Sequence, residues 1–196
     1  MLIPQEAAMR LVISLVCVVA SLVAAGTADA EPQRYVWKDM DCRQSRIVAW
    51  SGLKCRATDV VTSEGNIGAF RQWAAFGANR EGYYVHIFLW EAENTFSYIP
   101  AEATTAEFLK WMFEHGTSVA QVSAVTRYKD ADYVTFSDNK EGRNCTGFRR
   151  LGEFQRGGYA SVTGGILCAP SGKGIAGDDI STFIDNVRLQ ASKTGF

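Results

Sequence analysis

Residues 145–168 read CTGFRRLGEFQRGGYASVTGGILC. Two strand-like runs, Thr146 to Leu151 and Tyr159 to Leu167, flank Gln155-Arg156-Gly157-Gly158. The glycines make that middle a turn candidate, because Gly takes positive φ without a Cβ clash. Facing residues of an antiparallel hairpin are equidistant from its turn. A turn centred between Arg156 and Gly157 sets Cys145 opposite Cys168, near the open end. A disulfide there closes the hairpin, and disulfides persist in oxidising compartments.

The other cysteines fit that compartment. The chain has 196 residues, two His and five Cys. Cys17 lies within Leu11 to Ala25, LVISLVCVVASLVAA, an unbroken apolar run preceded by Arg10 and followed by Ala28-Asp29-Ala30. A basic start, an apolar middle and small residues before a cleavage point form the secretory pattern. The run is shorter than the roughly 20 apolar residues of a membrane-spanning helix. Lipidation at Cys17 would need a Leu three positions earlier and a small residue just before it, where Ser14 and Val16 stand. Residues 1–30 therefore read as a signal peptide and residues 31–196 as one exported domain, periplasmic or secreted.

Cys42, Cys55, Cys145 and Cys168 remain after export. Four cysteines allow three connectivities. No C-x-x-C for redox chemistry, C-x-x-C-H for haem or paired C-x-x-C for zinc occurs. The hairpin geometry favours Cys145–Cys168, which leaves Cys42–Cys55.

Composition narrows the partners. Hydrophobic residues at 47% and aromatics at 12% suffice for a packed core. The 20 Lys+Arg stand against 21 Asp+Glu, and removing Arg10, Glu6 and Asp29 with the signal leaves the mature chain neutral. A nucleic-acid binder normally carries a basic excess, so nucleic acid is not expected. Neither is a membrane once the signal is cleaved.

Further candidate strands are Ile47 to Trp50, Lys54 to Val61, Ala69 to Phe76, Tyr83 to Trp90, a short Phe96 to Ile99, Val119 to Thr126 and Tyr133 to Ser137. Two helices stand out. Thr104-x-x-Glu107 is a capping box and Gly116 a stop. Between them Phe108, Trp111, Met112 and His115 share a helical face. A second helix from Asp178 carries Ile180, Phe183, Ile184 and Val187 at the same spacing. The expectation is an α+β fold: an antiparallel sheet with two helices packed on one face and two disulfides.

The C-terminal stretch resembles the end of uncharacterised exported proteobacterial α+β domains. The features that carry it are Cys145-x-x-Phe148, Gly165-x-Leu167-Cys168, a Gly-rich turn and the helix from Asp178, about 45 residues. The resemblance implies an α+β fold and export, and no activity.

Catalytic and cofactor motifs fail on inspection. GGILCAPSGKG, Gly164 to Gly174, lacks the spacing and the hydroxyl of a phosphate-binding loop. Asp138 to Gly142 is not a calcium loop and reads as a solvated turn. No H-E-x-x-H or G-x-S-x-G occurs. No cofactor or metal is expected.

One surface does invite a ligand. In the hairpin Ala69 to Trp90, a turn across Gly77 to Gly82 would put Trp73 opposite His86 and Arg71 opposite Phe88. One side would then carry Arg71, Trp73, Tyr84, His86, Phe88 and Trp90, an aromatic wall with a cation and a titratable ring. The plainer reading is core, with a helix covering these rings. A register slipped by one residue would exchange the faces. The leading expectation is a non-catalytic envelope protein that binds a small molecule or a protein. The alternatives are a secreted hydrolase with His86 as base and an inhibitor or accessory subunit acting through the loop Gly77 to Gly82.

Overall fold

β-branched and aromatic runs separated by Gly, Asn and Asp leave the chain little choice but short strands joined by turns. The computed structural model describes residues 36–48, 50–62, 68–79, 81–100, 104–113, 119–155 and 157–191. The proposed signal peptide, His115 and Gly116 lie outside them. In chain order the elements are β1 (Trp37–Met40), β2 (Ile47–Val48), β3 (Lys54–Thr58), β4 (Val61–Thr62), β5 (Ala69–Ala78), β6 (Tyr84–Ala92), α1 (Thr105–Phe113), β7 (Val119–Ala120), β8 (Thr126–Tyr128), β9 (Ala131–Asp138), β10 (Arg143–Leu151), β11 (Phe154–Gln155), β12 (Gly158–Tyr159), β13 (Ser161–Cys168), α2 (Gly177–Asn186) and β14 (Arg188–Leu189).

Ten of these strands form one antiparallel sheet in the order β1-β3-β5-β6-β13-β10-β9-β7, with β4 beside β5 and β8 beside β9. The stretch Val119 to Thr126 is not one strand, because Gln121 turns the chain at φ 51° between β7 and β8. Of Phe96 to Ile99 only Ile99 pairs, in a bridge to Tyr159. Among the described residues no helix is long and apolar enough to cross a membrane.

The hairpin of β10 and β13 has the expected register. Cys145 faces Cys168, and the same alignment runs on through Leu151 opposite Val162 to Gln155 opposite Gly158. Both disulfides are present, Cys145–Cys168 across this hairpin and Cys42–Cys55 between a short 3-10 turn (Cys42–Gln44) and β3. Each restricts the unfolded chain and contributes roughly 2–4 kcal/mol.

The helices do not share a face. A Cβ built on Gly147 would lie 2.5 Å from Leu109 of α1. One built on Gly165 would lie 3.0 Å from Phe183 of α2. Gly147 pairs with Ile166 and the adjacent Phe148 with Gly165, so the two glycines point to opposite sides. The expectation of two helices on one side is thus corrected: α1 and α2 flank the sheet, each approaching through a missing side chain. Hydrophobic residues gather on both sides. Val85, Ile87, Leu89 and Phe148 pack with Ile180, Phe183 and Ile184 of α2. Phe88, Val134, Val162 and Ile166 pack with Phe108 and Leu109 of α1. The sequence held this signal. A strand with one wet face alternates, whereas β13 is buried from Val162 to Cys168 and reads as a near-continuous run.

Local chemistry fixes the helix ends. The Thr104 N–H donates to Glu107 Oε2 at 2.7 Å, and the Glu107 N–H donates to Thr104 Oγ1 at 3.2 Å, which completes the expected box. At α2 the Ala176 N–H donates to Asp179 Oδ2 at 3.1 Å. Arg150 Nη1 and Nη2 donate to the carbonyls of Val187 and Ile184 at the other end, where free C=O groups need donors.

Candidate functional site

The hairpin of β5 and β6 sorts the six sequence-predicted residues. His86 faces Phe76, not Trp73, and Arg71 faces Glu91, not Phe88. The pairing is shifted by three residues from the expected one. Gly77 does not start the turn; it stays in β5 opposite Val85, at φ 151°, a conformation that favours Gly. Asn79 takes over the turn: its Oδ1 accepts from the N–H groups of Glu81 (3.0 Å) and Tyr83 (2.9 Å).

An odd shift exchanges one strand's faces relative to the other. Tyr84, His86, Phe88 and Trp90 do share the α1 side. Arg71 and Trp73 do not join them. They lie on the α2 side, where Trp73 is buried in the core at 8% exposure and Arg71 Nε sits 3.1 Å from Glu93 Oε1.

Residues the sequence reading missed complete the aromatic side instead. Trp37 meets Phe88 edge-on with centroids 6.5 Å apart, Phe70 meets Trp90 at 5.6 Å, and Phe76 meets His86 at 6.0 Å. The Arg56 guanidinium lies 4.6 Å from the Trp37 ring centroid and 4.9 Å from that of Phe76. Strand alternation alone predicts Phe70, Phe76 and Arg56 here once the register is right. Trp37 arrives only through sheet order. Phe88 is 7% exposed and belongs to the core against α1. Tyr84, His86 and Trp90 are partly buried.

His86 sits poorly for base catalysis. Burial, and then the Arg56 charge, lower its pKa from 6.5 to about 4. A ring this reluctant to hold a proton is a weak proton acceptor at neutral pH. Among the described residues no group of three His, Cys, Asp or Glu is placed to hold a metal.

A concave site lies on the other side. The β5–β6 turn, the start of α2, Trp50 and Leu167 enclose a cavity of about 400 Å³. Asn79, Glu81 and Tyr83 come from the turn, Asp179, Thr182 and Phe183 from α2. Trp50 stacks on Phe183 with centroids 5.6 Å apart and planes 13° from parallel, which makes a flat aromatic wall. Desolvation, and then the charges of Asp179 and Glu81, hold the Tyr83 phenol above its usual range. Glu81 lies within the loop Gly77 to Gly82 singled out as a possible inhibitory loop, and Tyr83 directly follows it. Trp50 and Phe183 are far from it in sequence, and only the packing of α2 on the sheet assembles the group.

No protein-family model matches the chain, and neither the curated proteins nor the solved structures compared with it give a match.

Proposed function

We propose that this chain is an exported, disulfide-bonded protein that binds a small ligand without transforming it, in the cavity between the β5–β6 turn and α2. One observation carries the reading: the cavity of about 400 Å³ with an aromatic wall and a few polar groups. Ligand sites typically run to about 300–1,000 Å³ and combine apolar surface with a few convergent polar atoms. Among the described residues that line it are hydroxyls of Ser51, Tyr83 and Thr182 and no His, so none of these hydroxyls has a described imidazole on the lining beside it. The two disulfides favour an oxidising compartment, periplasmic or extracellular, and the N-terminal pattern of residues 1–30 favours export.

The test is a melting-temperature screen against amines, amino acids, sugars and carboxylates. A ligand that binds only the folded state raises Tm. Thr182→Trp, at an exposed α2 position on the cavity lining, fills the space and serves as control. The expected result is a compound that raises Tm for the wild type and not for the filled variant. A flat response across the panel, or equal shifts in both proteins, overturns the assignment.

A further inference from the structure

The charge of this cavity says more than its shape. We propose that it takes a small organic cation, an ammonium or guanidinium group on an apolar body, held by Glu81 and Asp179 beside Trp50 and Tyr83. The proposal rests on the ligand-binding reading above.

Among the described residues that line the cavity there are two carboxylates and no Lys, Arg or His. The described lining is therefore negatively charged. The start of α2 contributes the positive end of its dipole, about half an elementary charge. Two full carboxylate charges outweigh it. Asp179 caps α2, but that role uses Oδ2 for the Ala176 N–H and leaves a formal charge beside the space. Glu81 is on an exposed turn, so its charge enters the cavity without the cost of full burial.

The aromatic groups point the same way. Indole and phenol rings present a negative face that attracts cations, Trp most strongly. Trp50 and Tyr83 both line the space. An anion would meet repulsion from the carboxylates and from the ring faces. A neutral polar molecule would gain nothing from the charge of the two carboxylates. A cation with an apolar body answers both features, its charge to Glu81 and Asp179 and its body to Trp50 and Tyr83.

Calorimetric titration of the disulfide-bonded chain with 2-phenylethylamine, 2-phenylethanol and 3-phenylpropionate tests this. The three probes are similar in size and differ in charge. The amine is expected to bind at least tenfold more tightly than either other probe. Glu81→Gln combined with Asp179→Asn should remove that tenfold advantage and bring the amine down to the alcohol's affinity. Asn at 179 keeps an acceptor for the Ala176 N–H. Glu81→Gln alone, at an exposed position, should weaken the amine about threefold and secures the result if the double variant folds poorly. If the alcohol or the carboxylate binds as tightly as the amine, the cation assignment falls and the ligand-binding reading stands. If none of the three binds and the melting screen is flat, both fall.

Discussion

The two long hairpins of this sheet follow the same rules and differ in what sets their register. In β10–β13 a disulfide marks the open end and a glycine pair marks the turn. Both marks are sequence features, and they agree. In β5–β6 no covalent mark exists. The turn belongs to an Asn side chain rather than to the first Gly of the segment. Reading the glycines as the turn displaced the pairing by three residues. A Gly in positive φ can continue a strand as well as end one, and only its tertiary neighbours decide which. Here Leu53 packs 3.3 Å from where a Gly77 Cβ would be.

This contrast can be broken most forcefully from the second hairpin. Phe148 is 1% exposed and meets Phe183 edge-on at 5.3 Å. Phe148→Ala should cost about 3–5 kcal/mol in urea unfolding, as large aromatic deletions in packed cores do. Phe88→Ala in the first hairpin should cost less, because Phe88 is 7% exposed. Equal losses would mean the two sides of the sheet are packed alike.

Replacing Cys145 and Cys168 together by Ser should lower stability by roughly 2–4 kcal/mol. If the disulfide only secures a register that packing already favours, amide exchange on β10 and β13 should keep its native pattern while speeding up. Loss of that pattern would show that the disulfide alone specifies the pairing.

The first hairpin carries a pH dependence of its own. His86 has a folded-state pKa near 4 against 6.5 when free. The unfolded chain therefore binds the extra proton first as pH falls. The stability tied to neutral His86 is fully present above pH 6.5 and is lost as pH falls toward 4. The loss should be on the order of 2 kcal/mol by pH 4.5. Denaturant unfolding of wild type and His86→Phe from pH 7.5 to 4.5 should show the wild type losing stability relative to the variant as pH falls. Parallel curves would refute a buried, neutral His86.

The smallest expected effect is at the turn itself. Asn79→Ala removes the acceptor for two backbone N–H groups and should cost about 1 kcal/mol, read as a modest fall in Tm. Faster exchange at the Gly77–Val85 pair than at Ala75–Ile87 would place that loss at the hairpin tip.

Much of this architecture was legible. β-branched runs, the Thr104–Glu107 box, the α2 periodicity and the cysteine pairing are short-range patterns, and the structure reproduces them. The candidate site was legible only by halves. Tyr84, His86, Phe88 and Trp90 do share a side, since alternation along one strand needs no partner. Placing Arg71 and Trp73 with them required the register between strands, which alternation does not contain.

The sequence by itself determined the long strands, the Thr104–Glu107 cap, the Cys145–Cys168 pairing and the alternation within each strand, because these depend on residues close in the chain or joined by the geometry of a single turn. The tertiary structure decided the first hairpin's register, the placement of α1 and α2 on opposite sides, and the cavity. Those depend on which apolar surfaces meet. A glycine at 147 or 165 becomes a seat for a helix only when Leu109 or Phe183 arrives. Likewise Trp50, Glu81 and Asp179 become one site only when α2 packs against the sheet beside the Asn79 turn.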